Sequence, residues 1–213
     1  DRGDHTAEAT PRLGTRSRED LRPGSFAIVR QYIDRTVARP SSFFGDGVVA
    51  HVSMADPVCG GLSDLTLDAA RAAGLTVTDD MTYLAMEGPQ FSTRAESRLF
   101  RSWGCDVIGM TALPEARLAR EAELPYANLC MVTDFDCWRD ETAAVDVADV
   151  LAVMKSNATA ARRTIVALAR SLPDQRAPSP IDTCLDQAIV SDRTYWRAER
   201  VDKLGSICPR LFG

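Results

Sequence analysis

Two aspartates, Asp134 and Asp136, stand two residues apart at the end of an apolar run, Tyr126 to Val132. In a strand, residues two apart face the same way, so this pair presents two carboxylates to one space. Two such groups could bind a metal, share a proton, or grip hydrogen-bond donors on a ligand. Metal binding needs further oxygen or nitrogen ligands nearby, and the local sequence offers few. A nitrogen-rich ring suits them better, since a carboxylate held away from water can keep or donate a proton. From spacing alone, a solvated turn is the commoner outcome for Asp-x-Asp.

A second cluster, Gly109-Met110-Thr111, also follows an apolar run and precedes a helix. A hydroxyl and free backbone N–H groups there make an anion site, although Thr111 could equally support the turn and Met110 fill core. Glu87 sits before Gly88-Pro89 at a strand-to-turn switch, where turn support and substrate contact weigh equally. His51 lies among valines without an acidic neighbour in sequence, so a packed histidine is expected there.

These clusters need strands and helices to hold them. Phe26 to Val29, Val48 to Val52, Leu75 to Thr78, Thr82 to Met86, Cys105 to Ile108 and Tyr126 to Val132 read as strands, two of them around an Asp79-Asp80 turn. Ser63 is suited to cap a helix ending at Gly74. Thr93 and Glu96 form a Thr-x-x-Glu capping box, and Ala95, Leu99 and Trp103, with Phe100, mark an inward face. Gly104 stops that helix, and Pro114 starts another running to Glu123. The longest helix begins at Val147 and keeps three-and-four apolar spacing through Leu168, ending before the Pro178-Ser179-Pro180 link. Strands alternating with helices predict an α/β protein. Residues 1–22 carry no apolar period and read as a disordered or divergent arm. Residues 23–190 form the domain, and residues 191–213 a tail without clear period.

Composition narrows the function. The 213 residues carry a formal net charge of -5, which argues against a nucleic-acid partner. No apolar run approaches a bilayer-crossing length, and the charged N-terminus is no signal peptide, so no membrane partner is expected. A soluble, cytoplasmic protein is predicted. The six cysteines form no Cys-x-x-Cys pair and read as free thiols, and no metal site is expected. A dinucleotide-binding domain is disfavoured because no Gly-x-Gly-x-x-Gly occurs.

The run EGPQFSTRAESRLFRSWGCDVIGMTALPEARLAREAELPYANLCMVTDFDCW, from Glu87 to Trp138, resembles the 5'-methylthioadenosine phosphorylases of the purine nucleoside phosphorylase superfamily. The resemblance extends back through PGSFAIVRQYIDRT and HVSMADPVC and covers about Arg18 to Leu172. It implies a mixed central sheet flanked by helices, with inorganic phosphate as cosubstrate and no organic cofactor or metal. The implied reaction is phosphate attack on C1' of the nucleoside as the purine leaves. By the same match, Asp134 faces the purine N7 and 6-amino group as the leaving-group acid, and Asp136 helps fix the adenine. Phe91 packs on the base, Ser92 is a specificity position, Met110 packs on the ribose, and Thr111 is a phosphate ligand. Val147, Val150 and Leu151 form an apolar wall for the methylthio group. A homotrimer is implied, with the segment near Leu185 a candidate for its interface.

The sequence departs from the family pattern ahead of Arg18. The first strand, its glycine-rich phosphate turn, the Arg-His pair and the Thr-Ala pair that family members carry are not found. The sheet is therefore expected to miss its first strands and to expose a new edge. A fragment, a disrupted reading frame or a shortened protein would each account for this, and the chain alone is expected to show little phosphorolysis. A non-catalytic purine-binding or assembly subunit is the alternative function.

Overall fold

The computed structural model describes residues 8–16, 21–137 and 147–213, with side chains from 21–137 and 151–213. Strands β1 (Glu8–Arg16), β2 (Phe26–Arg35), β3 (Val77–Met86), β4 (Val107–Gly109) and β5 (Tyr126–Phe135) close into a barrel in the order β1-β4-β3-β2-β5. The sheet is mixed: β2 with β3 and β3 with β4 run parallel, whereas β5 runs antiparallel to β2. Helices α1 (Gly60–Ala72), α2 (Arg94–Ser102), α3 (Glu115–Glu121) and α4 (Val147–Ser171) alternate with the strands, and α5 (Ala198–Ile207) and α6 (Pro209–Phe212) finish the chain.

The expected arm contains a strand, and the expected open edge is covered. β1 lies parallel to β5 along its length and meets β4 antiparallel at Thr15 and Arg16. Its composition carries little strand signal; the backbone partners offered by β5 decide its conformation, as tertiary context commonly does for strands. Pro11 is accommodated because that part of β1 has a neighbour on the β5 side only.

Period-two alternation explains the barrel's packing. On β2, Ala27 and Val29 face the interior with Tyr83, Val107, Tyr126, Cys130 and Val132, while Phe26 and Ile28 face outward with Leu129 and Met131. Outward residues meet Leu67 and Ala70 of α1 and Ala161 of α4. Phe100 of α2 covers Leu84 and Ile108 on another side. β5 is buried on both faces through Thr133, so its sequence reads as a continuous apolar run.

Several elements differ from expectation. The two strands around Asp79-Asp80 are one strand, because Asp80 takes φ 62° and produces a bulge while Arg30 pairs with Asp79 at 2.9 Å. α1 starts at Gly60, three residues before Ser63, whose hydroxyl is buried without a partner. Val48 to Val52 makes only isolated bridges, Gly45 with Val48 and Ala50 with Ile189. On α2, Phe100 is buried as expected, but Leu99 and Trp103 are 46% and 44% exposed, and Ser97 turns inward with Phe100. Among the described side chains of α4, Ala161 and Leu168 are buried as their period implies, together with the polar Asn157 and Thr164. The tail after residue 190 is largely helical and packed: Leu204 and Cys208 are buried, and Cys208 clusters with Leu185 and Phe44. In the segment offered as a candidate interface, Leu185 is buried within its own chain and Val190 is 61% exposed. His51 is exposed, and its backbone N–H donates to the Ala188 carbonyl at 2.8 Å.

Candidate active site

Three loops follow the parallel strands β2, β3 and β4, and one ion pair ties them together. Arg39, after β2, donates to the Met86 and Glu87 carbonyls at 3.2 and 2.7 Å and to the Met110 and Leu113 carbonyls at 2.5 and 2.6 Å. Its Nε meets the Glu87 carboxylate at 3.2 Å, and that carboxylate also accepts the Val37 and Ala38 N–H groups. Those backbone donors hold Glu87 below the usual carboxylate range. Glu87 is therefore a loop support. Arg39 had no distinguishing signal in sequence, because its partners are carbonyls of distant loops.

Met110 lies against Gly88: a Cβ on Gly88 would come within 2.7 Å of the Met110 Sδ. Gly88 also takes φ 73°, a conformation that favours glycine. Thr111 is exposed, and its N–H points at the Tyr83 hydroxyl at 3.5 Å.

β5 does not arrive at this rim as a parallel neighbour, since it runs antiparallel to β2. The barrel's closure brings it there: Asp134 pairs with Thr15, and Thr15 pairs with Ile108 of β4. The register shifts just before Asp134, from Gly14 opposite Val132 to Thr15 opposite Asp134, so Thr133 is an extra residue on β5. The Asp134 Oδ1 accepts the Thr133 hydroxyl at 2.6 Å, and its Oδ2 is buried without a partner. Burial pushes this carboxyl up to about 6; Thr133 opposes the shift and the Asp136 charge adds to it. Asp136 is 5% exposed, its Oδ1 accepts the Cys137 N–H at 2.9 Å, and its Oδ2 too is buried without a partner. Burial raises the Asp136 pKa, against the Ser97 hydroxyl and Cys137, which favour the charged form.

The loop before α2 closes over this end of β5. The capping box is formed: the Thr93 Oγ1 accepts the Glu96 N–H at 3.3 Å, and the Glu96 carboxylate accepts the Thr93 N–H at 2.7 Å. With the helix start held, the Cys137 thiol donates to the Ser92 carbonyl at 3.3 Å and lies 3.2 Å from the Ser97 hydroxyl. Ser92 is half-buried, with its hydroxyl 3.4 Å from the Met86 sulfur, and Phe91 is 55% exposed.

The arrangement thus joins Ser92 and Asp136 through Cys137, sets Asp134 close enough to feel the Asp136 charge, and joins Met110 and Thr111 through the Arg39 loops. Val147 and Val150 lie in the first turn of α4, with side chains outside the described residues; Leu151 is 57% exposed. Thr133, Ser97, Cys137 and Arg39 were not singled out from sequence. Only Ser97 had a signal, as a small polar residue one turn inside a capped helix. Among the described residues no cluster of His, Cys, Asp and Glu could hold a metal. Two buried acceptor oxygens, one on a carboxyl pushed up to about 6, can grip donors and hand over a proton.

Residues 17–170 match the model of the phosphorylase superfamily. The chain is 50% identical over 196 residues to the S-methyl-5'-thioadenosine phosphorylase of Cereibacter sphaeroides, covering 91% of this chain and 68% of that protein. It is 46% identical to the enzyme of the same name from Bradyrhizobium diazoefficiens, covering 91% of this chain and 67% of the relative. It therefore spans about two thirds of the length of these relatives. A methylthioadenosine phosphorylase from an antarctic soil metagenomic library superposes with a TM-score of 0.86 at 40% identity, over 93% of this chain and 70% of that one. The Schistosoma mansoni methylthioadenosine phosphorylase, solved in complex with adenine, superposes with a TM-score of 0.79 at 28% identity, over 84% of this chain and 71% of that one. With that sheet, that aspartate pair and these relatives, the chain belongs to the phosphorylase superfamily, among its S-methyl-5'-thioadenosine phosphorylases.

Proposed function

We propose that this chain takes part in the phosphorolysis of 5'-methylthioadenosine to adenine and 5-methylthioribose 1-phosphate. The observation that carries this reading is the buried pair at the end of β5, with one unpartnered oxygen on each of Asp134 and Asp136. In the reaction, the C1'–N9 bond breaks as a phosphate oxygen bonds to C1', and electron density moves onto the purine. Asp134, its carboxyl pushed up to about 6, delivers its proton to N7 so that adenine leaves neutral. Asp136 accepts a hydrogen bond from the 6-amino group through its free oxygen. The Asp136 acceptor would stay unsatisfied against a 6-oxo purine in its usual tautomer, which presents no donor at C6.

In this reading Phe91 stacks on the base, Ser92 tunes base selection, and Met110 meets the ribose. Thr111 binds phosphate, and Val147, Val150 and Leu151 receive the methylthio group. A cytoplasmic homotrimer completes the proposal. Titration calorimetry of the purified chain with adenine and hypoxanthine tests the base-binding half, and phosphate-dependent release of adenine from methylthioadenosine tests the chemistry. Adenine binding at least tenfold tighter than hypoxanthine is expected; equal affinity for the two bases would sink the assignment of the aspartate pair.

A further inference from the structure

Ser97 belongs to none of the substrate contacts, yet it is fully buried (0% exposed) on the face of α2 that meets the end of β5. A serine in a helix interior ordinarily folds its hydroxyl back onto a carbonyl of the preceding turn. Thr66 on α1 does this, donating to the Leu62 carbonyl at 2.7 Å. Ser97 instead directs its hydroxyl out of the helix, to the Cys137 sulfur at 3.2 Å.

The contacts around it form a short relay. The Cys137 backbone N–H holds Asp136 Oδ1 at 2.9 Å, and the Cys137 thiol is committed to the Ser92 carbonyl at 3.3 Å. With that thiol hydrogen spent, the Ser97 hydroxyl is the donor left to face sulfur and carboxylate. Asp136 Oδ2 remains buried and unpartnered. One oxygen of Asp136 is thus fixed from the protein side and the other is left for a ligand.

We propose that Ser97 is a positioning residue for base recognition: through Cys137 and Asp136 it sets the carboxylate that accepts the purine 6-amino group. This rests on the purine site proposed above. The Ser97 hydroxyl also favours the charged form of Asp136, in keeping with that role. The capping box is what makes the placement possible, because it fixes the start of α2 four residues earlier. Among the described residues, the titratable groups facing Asp136 are Asp134 and the Cys137 thiol.

The test compares the full chain with Ser97→Ala, and with Ser97→Cys as a variant that keeps the shape but replaces the hydroxyl with a weaker donor. Two readouts are needed. The first is the titration of Asp136 in the ligand-free protein, followed by carboxyl carbon-13 NMR. The second is calorimetric affinity for adenine and for unsubstituted purine, which lacks the 6-amino group. In both variants Asp136 should titrate at higher pH, adenine affinity should fall by about tenfold, and purine affinity should change less than twofold. An unmoved Asp136 titration overturns the proposal, as does an equal loss of adenine and purine, which would make Ser97 a packing residue of α2. If the unmodified chain binds neither base, the purine site itself fails, and the Asp136 titration still decides whether Ser97 sets this carboxylate.

Discussion

Arg39 and Glu87 meet at 3.2 Å, and between them they hold the loops after β2, β3 and β4. The pair sits 19% and 33% exposed, so its charges are partly screened and its value lies in the backbone groups it satisfies. Four carbonyls, at Met86, Glu87, Met110 and Leu113, accept from one guanidinium. Two N–H groups, at Val37 and Ala38, donate to one carboxylate.

Replacing Arg39 by Ala is therefore expected to destabilise the chain by about 2–4 kcal/mol, since several half-buried carbonyls lose their donor at once. Arg39→Lys should recover only part of this, because an ammonium lacks the planar fork. Urea unfolding gives the loss, and amide exchange localises it: faster exchange should appear at residues 86–88 and 110–113. A stability loss under about 0.5 kcal/mol in Arg39→Ala would mean the loops hold their shape without it.

Asp134 predicts a pH dependence of stability with a definite sign. Its pKa is raised from 3.8 to about 6 in the folded chain, so between those values the folded state binds more protons than the unfolded state. Its contribution is most favourable below pH 4 and is lost as pH rises through about 6. Asp134→Asn removes this dependence: relative to the unmodified chain, its stability should improve with rising pH across that window, by roughly 2–3 kcal/mol. The same substitution should lower adenine release by about a hundredfold or more, because the proton donor is gone. Parallel stability-versus-pH curves for the two proteins would contradict the assignment.

Gly88 lies against Met110, the residue proposed to meet the ribose. A Cβ at this position would approach the Met110 Sδ to 2.7 Å, and φ 73° disfavours any side chain. Gly88→Ala is expected to cost about 1–2 kcal/mol of stability and to push the Met110 side chain aside. Affinity for methylthioadenosine should then fall several-fold while adenine affinity stays within twofold. Equal losses for both ligands would show that Met110 does not serve the sugar.

The elements that carry the candidate site were legible in the chain where their signals are local. A capping box needs only Thr93 and Glu96, and both of its hydrogen bonds are present. An apolar run is a local signal too, and Tyr126 to Val132 lies within β5, which ends at Phe135 between the two aspartates. The inward face of α2 was misread for the opposite reason: Leu99 and Trp103 have the right spacing, but what lies opposite a helix is not written in its period. The buried Ser97 faces Cys137, forty residues away, and polarity alone could not place it inside.

By itself, the sequence determined the α/β alternation, the capped start of α2 and the resemblance to the phosphorylase family. These follow from neighbours in the chain, where propensity, periodicity and hydrogen bonds within a few residues decide the outcome. The tertiary structure alone decided that residues 8–16 form a strand, that the barrel closes through it, and that closure carries Asp134 round to the end of β4. It alone decided that Arg39 would bind the carbonyls of two distant loops. Strand pairing and ion pairs between loops depend on partners far apart in sequence, and those partners become neighbours only when the sheet has curled and closed.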